Sequence, residues 1–492
     1  MTQEKHQQAI VVGSGIAGIA GAIRLACKGY DVTVLEANSY PGGKLTVLQL
    51  GDYRFDAGPS LFTLPHLVDE LFELAGKNPT DYFSYDQVET ACHYFFEDGT
   101  FLRFFADQER LLEEVKTKLQ VDSKPLENQL KRSKLIYDAT HKAFMERSLH
   151  RFSSYVSMDI LKCVAHIPWL NLFTTMHKAN EQRLNHPKLV QLFDRYATYN
   201  GSNPYSAPGI LNIIPHLEHG FGTFFPRKGM HSITTSLVQL AQDLGVKFRF
   251  NERVEEITVE AKQVTGVRTT TNFYPAKTVF CNSDIKPAYT HLLKDQPRPK
   301  KTMEQEPSSS AMIFYWGIKH SFPQLDLHNI FFSEDYQQEF TSIFHEKTVS
   351  NDPTVYVHIS SKVVTTDAPE GCENWFVMVN VPHNQGQDWE ALRAQISTSV
   401  LEKLSRILNT DIASLIETED YLDPIRIEER TGSFGGALYG ASSNDRMAAF
   451  FRHPNFSKIN GLYFAGGSVH PGGGIPLCLL SAKIAIELVK EQ

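Results

Sequence analysis

The residues whose types and spacing suit chemistry lie first in the stretch Ile10-Val11-Val12-Gly13-Ser14-Gly15-Ile16-Ala17-Gly18. An apolar helix follows it, and then Val32-Thr33-Val34-Leu35-Glu36. The order is strand, glycine turn, helix, strand, acid. Gly13 permits the tight turn, Gly15 lets the backbone approach a pyrophosphate, and Gly18 lets the helix pack close to the strand. The helix N-terminus, with Ala17 in its first turn, offers free N–H groups and a positive dipole end to phosphates. Glu36 is placed to accept hydrogen bonds from ribose hydroxyls. A lone G-x-G-x-x-G marks only a glycine-rich turn, but here both strands, the helix and the spaced acid are present. The acid suits an unphosphorylated ribose and disfavours NADP. NAD and FAD remain.

The elements that must position this turn belong to a large chain. Its 492 residues are enough for two or three domains with substantial cores. Hydrophobic residues make up 42% and charged residues 21%, as in globular proteins. A net charge of −8 argues against nucleic acid as the partner. Six cysteines (Cys27, Cys92, Cys163, Cys281, Cys372, Cys478) are scattered without a C-x-x-C pair. That pattern offers neither a zinc site nor a disulfide framework and predicts a reducing, cytoplasmic setting. No basic n-region precedes a cleavable apolar run, so no signal peptide is expected. The uncharged stretches Gln7–Ile23 and Ile459–Ala482 are broken by glycines, the second also by Pro471 and Pro476, so neither is expected to span a membrane.

After Glu36, Pro41-Gly42-Gly43-Lys44 makes a flat turn, and Tyr53 to Ser60 follows. Lys44 lies along a phosphate or flavin, or is a solvated lysine in a hairpin. The series Gly13 to Ser60 resembles the FAD-binding superfamily that includes amine oxidases and carotenoid desaturases. Gly43, Lys44, Gly58 and Pro59 are then implied cofactor contacts. In the same superfamily the valine of Arg253-Val254-Glu255-Glu256-Ile257 gives adenine its backbone hydrogen bonds, which implies that role for Val254. Thr278 to Asp284 matches the strand that returns to the nucleotide domain and brings Asn282 to the cofactor; Ser283 departs from the usual alanine. Near the C-terminus, Gly461 to Ser468 is a strand ending in small residues. His470-Pro471-Gly472-Gly473-Gly474-Ile475-Pro476 is a loop, and a helix is expected from Leu477 to Lys490. Glycines admit a planar ring, and the helix N-terminus can stabilise negative charge on a reduced flavin. This matches the family's closing signature and implies FAD, with Gly466, Gly467, Gly474, Ile475 and Pro476 as contacts.

Between these motifs, Leu61, Leu64, Leu67, Leu71 and Leu74 predict an amphipathic helix from Leu61 to about Gly76. Strands are expected near His93–Phe96 and Phe101–Phe105, joined by an Asp98-Gly99 turn. Asp107 caps a helix through Val115. Residues from about Asp122 to Pro204 read as helical. Within them, Met158 to Phe173 is apolar, contains Trp169, and is flanked by Lys142, Arg147, Arg151, Lys162 and Lys178. It is either a monotopic membrane contact or packing under a lid. Helix Ile233–Leu244 should stop at Gly245. Runs from Ala311 to Val381 are strand-forming and aromatic, and they wall an apolar channel or form ordinary core.

The fold class is α/β: a Rossmann-like FAD-binding domain, a β-sheet substrate domain and a helical lid or membrane subdomain. The expected division is 1–105, 210–290 and 426–492 for FAD, 106–209 for the helical part and 291–425 for the substrate sheet. The stretches Ser308–Ile318 and Leu327–Phe332 resemble 1'-hydroxycarotenoid 3,4-desaturases more than phytoene desaturases. The resemblance implies hydride transfer to FAD and proton loss, introducing a C-3,4 double bond into a 1'-hydroxylated carotenoid. Alternatives are a phytoene desaturase, a flavin-assisted carotenoid isomerase, or a non-catalytic carotenoid binder. Asp159 and His470 are the implied proton acceptors. Expected partners are a carotenoid, the inner face of the cell membrane as a peripheral surface, and a quinone or oxygen as electron acceptor; no metal is expected.

Overall fold

The computed structural model describes residues 7–151, 159–160, 163, 166–445 and 450–489. Its nucleotide sheet has five strands in the order Leu462–Phe464, Thr278–Cys281, Gln8–Val12, Asp31–Leu35 and Lys247–Arg249. All neighbours are parallel, so the sheet is built from the two ends and the middle of the chain. Parallel strands are covered on both faces and therefore read as apolar runs. Ala9, Val11, Val32 and Val34 face helices Ile16–Cys27, His231–Asp243 and Ile475–Glu487. Ile10, Val12 and Val279 face an antiparallel layer, Val254–Glu260, Gln263–Thr269 and Phe273–Pro275. Small residues let helix Ile16–Cys27 pack tightly: a Cβ on Gly21 would stand 2.4 Å from the Phe280 ring.

A second sheet has seven strands: Ile416–Leu422, Ser310–Ile318, Glu373–Val381, Val355–Ile359, His328–Phe331, Thr90–Phe95 and Phe101–Phe105. Only the join between His328–Phe331 and Thr90–Phe95 is parallel. The hairpin Thr90–Phe105, which the sequence division groups with the first nucleotide segment, thus hydrogen-bonds into the substrate-side sheet. Helix Trp389–Leu408 covers one face, packing Trp389, Ile396, Val400 and Leu404 on Trp316, Trp375 and Val357. The other face packs Ile313, Tyr315 and Phe376 on Tyr53 and Phe55 of the hairpin formed by Thr46–Leu50 and Tyr53–Ala57.

Several elements differ from their sequence reading. The helix expected from Leu61 is His66–Leu74. Leu64 takes a left-handed φ of +52° ahead of Pro65, which starts the helix late, and Leu74 is 47% exposed instead of joining the apolar stripe. Asp107 caps as expected, accepting from the Arg110 N–H, but its helix runs on to Leu119. The last helix starts at Ile475, with Pro476 in its first turn, and Lys490 lies outside the described residues. Of the apolar segment Met158–Phe173, Met158, Leu161, Lys162, Val164 and Ala165 also lie outside them. Its described part contains the short turn Ile167–Trp169, with Trp169 47% and Phe173 75% exposed and Leu170 buried. Among the described residues no helix is long and apolar enough to cross a membrane.

Candidate active site

The glycine turn after the first strand is closed around its own backbone. Gly13 has φ +91° and donates its N–H to Leu35 O at 2.8 Å. A Cβ on Gly18 would sit 2.1 Å from Gly13 O, so only glycine lets the helix approach. Gly15 is the N-cap of helix Ile16–Cys27, with no side-chain cap and no acid in the first turn. Its N–H groups are left for an external anion. Glu36 is 6% exposed: its Oε2 accepts from Ser14 N–H and Ser14 O–H, both at 2.8 Å, and its Oε1 from Asn38 N–H at 2.8 Å.

Two further segments close on this turn. Gly42 donates to Ser14 O at 2.8 Å, and a Cβ on Gly43 would stand 3.3 Å from Gly15 Cα. A Cβ on Gly58 would overlap Lys44 O at 1.8 Å. The Lys44 ammonium donates to Ala437 O (3.0 Å) and Leu438 O (2.8 Å). Burial lowers its pKa, while Asp284 favours its charged form. Asn282 is wedged between both ends of the chain. Its Nδ2 donates to Ala465 O at 2.9 Å, and Cβ atoms on Gly15 or Gly466 would each approach its amide to 2.7 Å. Gly474 caps helix Ile475–Glu487, again without a side-chain cap.

Fifteen of the sixteen residues expected to hold the cofactor line one cavity of about 1130 Å³. They are Gly13, Gly15, Ala17, Glu36, Gly43, Lys44, Gly58, Pro59, Val254, Asn282, Gly466, Gly467, Gly474, Ile475 and Pro476; Gly18 stands behind Gly13. The glycine cradle, in which Cβ atoms on Gly15, Gly18, Gly58 or Gly466 would collide with their neighbours, fits a dinucleotide. Single-ligand pockets measure about 300–1,000 Å³, and this cavity continues past the loop Gly466–Gly474 to the seven-stranded sheet. There Phe376, Met378 and Asn380, at the two-residue spacing of one strand face, meet Tyr356, His328 and Ile330 from neighbouring strands.

The two expected proton acceptors are placed elsewhere. Asp159 pairs with Arg147 at 2.8 Å, and His470 is buried with its Nε2 2.8 Å from Arg147 O. Neither lines the cavity. Burial pulls the His470 pKa down to about 4. The wall carries other polar groups that the sequence reading does not single out. His328 Nδ1 lies 2.8 Å from Tyr356 Oη, which lies 2.7 Å from Ser60 Oγ, two residues after Gly58. Burial holds the His328 imidazole well below its ordinary pKa, with His358 and Arg195 adding to the shift. The alternation of Tyr356 and His358 along an otherwise aliphatic strand is the signal that marks this wall. Arg195 also lines the cavity, donating to Tyr94 Oη (2.6 Å) and Tyr199 Oη (2.9 Å). Arg452, likewise buried, lines the cavity too.

The family model described as flavin-containing amine oxidoreductase matches residues 16–489. A 1-hydroxycarotenoid 3,4-desaturase of Flavobacterium sp. (strain P99-3) is 52% identical over 98% of this chain and 99% of its own. A 4,4'-diapolycopene oxygenase of Methylomonas sp. is 32% identical over 98% of each chain. Among solved structures, an oxidoreductase from Methanosarcina mazei superposes with a TM-score of 0.66 at 14% identity, covering 98% of this chain and 100% of that one. Cyclohexylamine oxidase from Brevibacterium oxydans gives 0.65 at 16% identity, covering 99% and 100%. These two likenesses concern the fold.

Proposed function

We propose, for a chain that belongs to the family of flavin-containing amine oxidoreductases and takes FAD as its cofactor, the reaction of a carotenoid 3,4-desaturase. The substrate in this reading is a 1'-hydroxylated acyclic or monocyclic carotenoid, such as a γ-carotene derivative. The observation that carries it is the 52% identity to the Flavobacterium desaturase along nearly the whole length of both chains. The long cavity running from the glycine cradle to the sheet supports it, since a rod-shaped substrate and a dinucleotide both need room.

In this reading the segments 1–89, 210–290 and 426–492 hold FAD, while the hairpin Thr90–Phe105 joins 106–209 and 291–425 in receiving the carotenoid. FAD, when bound, supplies a hydride acceptor. The protein's part is to bind, orient and keep water out. Ser14 and Glu36 fix the turn, the uncapped helices Ile16–Cys27 and Ile475–Glu487 face the cavity, and Phe376, Met378 and Ile330 give the polyene an apolar wall. Hydride loss beside a polyene leaves a cation spread over the conjugated chain, so the wall needs no carboxylate to stabilise it. The neighbouring carbon then gives up a proton. On this wall Ser60 Oγ, Tyr356 Oη and His328 form a hydrogen-bonded chain that, in this reading, relays the proton onward to solvent; it lines the cavity, as Asp159 and His470 do not. Quinone or oxygen reoxidises the cofactor. The enzyme works at the cytoplasmic face of the membrane, held peripherally through exposed Ile167, Trp169 and Phe173.

The test is direct competition in liposomes among phytoene, γ-carotene and 1'-hydroxy-γ-carotene, with products followed by absorption and mass. The hydroxylated substrate should gain one double bond and consume one acceptor. A site that hydrogen-bonds a substrate hydroxyl can reject the analogue lacking it by up to about 10⁴–10⁵. Faster multi-step turnover of phytoene would replace this reading with a phytoene desaturase. A product isomer formed without acceptor would make the protein an isomerase.

A further inference from the structure

Arg452 is 2% exposed and lines the cavity beside the loop Gly466–Gly474. Its Nη1 donates to Tyr439 O (2.6 Å) and Gly467 O (2.9 Å), and its Nη2 donates to Asn200 Oδ1 and Ala441 O (both 2.8 Å). All four acceptors are neutral. Among the described residues no carboxylate forms a salt bridge with it. Asp284, whose charge bears on Arg452, also faces Lys44 and Lys286, and burial raises its own carboxyl pKa. The remaining titratable neighbours leave the charge standing. Burial raises the Cys478 thiol to about 11, lowers His470 to about 4 and lowers the nearby His150, so all three are neutral at pH 7. Arg452 itself comes down only to about 10, again through burial, and stays a cation.

A buried charge without a partner is strongly unfavourable, and such groups cluster where a site must hold the opposite charge. We infer that Arg452 is the counter-charge for the negative charge that two-electron reduction leaves on the FAD ring, and that it makes the bound cofactor easier to reduce. The loop that receives the ring is folded around the guanidinium. Gly467 O is one of its acceptors, and a Cβ on Gly472 would stand 3.3 Å from Arg452 Nε. The same loop leads into the uncapped N-terminus of helix Ile475–Glu487, so guanidinium and helix dipole act at the same end of the cavity. The charge balance of the reaction favours such a group. A substrate C–H bond breaks with both electrons and the hydrogen passing to the neutral oxidised ring. The substrate carbon is left positive, the ring becomes negative, and a proton then leaves the neighbouring carbon as its C–H pair forms the new double bond. Once that proton has been passed on to solvent, the protein interior holds one extra negative charge, on the ring, until the ring is reoxidised.

The inference rests on the flavin cofactor and not on the carotenoid reading, and none of its measurements needs a carotenoid. In FAD-loaded Arg452→Gln, equilibration with a redox dye should shift the reduced-to-oxidised ratio at least tenfold toward oxidised, about 30 mV for a two-electron couple. Arg452→Lys should recover most of that shift. Sulfite, which adds to the oxidised ring as an anion, should bind Arg452→Gln at least tenfold more weakly. The guanidinium also ties four segments together, so Arg452→Gln need not fold. The wild-type protein then decides: reduced anaerobically with dithionite at pH 7, it should show the absorption of the anionic reduced ring. A neutral reduced ring in the wild type would overturn the inference. So would unchanged dye equilibrium and sulfite affinity in a folded, FAD-loaded Arg452→Gln protein. Weaker FAD binding with no change in potential would place Arg452 at the diphosphate and likewise overturn it.

Discussion

Replacing Glu36 with alanine separates the bracing of the turn that the structure shows from the ribose contact proposed for the same carboxylate. Its oxygens already accept three hydrogen bonds, from Ser14 N–H, Ser14 O–H and Asn38 N–H. A carboxylate offers about four lone-pair sites, so one remains for a ribose hydroxyl. A hydrogen bond to a charged group is worth about 1.5–3 kcal/mol, and each 1.4 kcal/mol is tenfold in affinity. Glu36→Ala should therefore weaken FAD binding by about 10- to 100-fold. The truncation also orphans the fully buried Ser14 N–H, and an unsatisfied donor costs about 1–3 kcal/mol. That second loss falls on the apoprotein as well. Quenching of FAD fluorescence on titration measures the first effect, and the melting temperature of the apoprotein measures the second. Glu36→Gln should lie between, because its amide NH₂ must turn a donor toward Ser14 or Asn38. An FAD affinity within twofold of wild type in a folded Glu36→Ala protein would refute the ribose assignment. A falling Tm with that affinity intact would leave Glu36 as a brace for the turn alone.

Gly18→Ala should abolish FAD loading, because its Cβ would meet Gly13 O at 2.1 Å and the turn would have to open; overpacking typically costs about 1–3 kcal/mol. FAD content after purification reports it, and a loaded variant would show that the turn yields. Trp169→Ser with Phe173→Ser should lower flotation with liposomes while FAD content stays normal; unchanged flotation would remove this segment as the membrane contact. Stability should fall on acidification through the buried histidines. Burial depresses His358, His453 and His470 to about 4, against an ordinary value near 6.5. Between these values the unfolded chain binds more protons, so the stabilisation is complete above about pH 6.5 and is lost as pH falls through about 4. Urea midpoints at pH 7.5, 6 and 5 should decrease in that order, and a flat profile would contradict the burial of neutral imidazoles.

The cofactor cradle was legible because its signals are local. Gly13 to Glu36 is one strand–turn–helix–strand unit, and Gly466 to Pro476 is one loop. In each case the residue type follows from a backbone approach that only glycine permits. The substrate wall was not legible in the same way. Tyr356 and His328 meet only because Val355–Ile359 pairs with His328–Phe331, and Ser60 reaches Tyr356 from the loop after the distant strand Tyr53–Ala57. No spacing along the chain encodes that juxtaposition. Helix Trp389–Leu408 went unread for a related reason. Its buried positions Trp389, Ile396, Val400 and Leu404 form a narrow stripe, in a region whose other apolar runs are strand-like. The parallel join of His328–Phe331 to Thr90–Phe95 spans more than two hundred residues, and neither strand carries a mark of its partner.

Why one cavity collects residues from both ends and the middle of the chain follows from sheet register. In open parallel sheets ligands bind beyond the carboxyl ends of the strands. Here Val12 pairs with Leu35 on one side and Cys281 on the other, and Cys281 pairs in turn with Phe464. Four strands therefore end at one level. The residues that follow, Gly13, Glu36, Asn282 and Ala465, stand side by side, and their loops form the cradle. Asn282 fixes the alignment by donating to Ala465 O while filling the space left by Gly15 and Gly466. A slip of one residue between Gln8–Val12 and Thr278–Cys281 would move Asn282 by about 3.3 Å along the strand and turn alternate side chains to the opposite face. The amide would leave the gap between the two glycines, and Val279, now packed on the antiparallel layer, would exchange places with Phe280, whose ring lies against Gly21. The glycines proposed to admit the cofactor are thus also the contacts that lock the register, so that in this reading binding and folding depend on the same few close approaches.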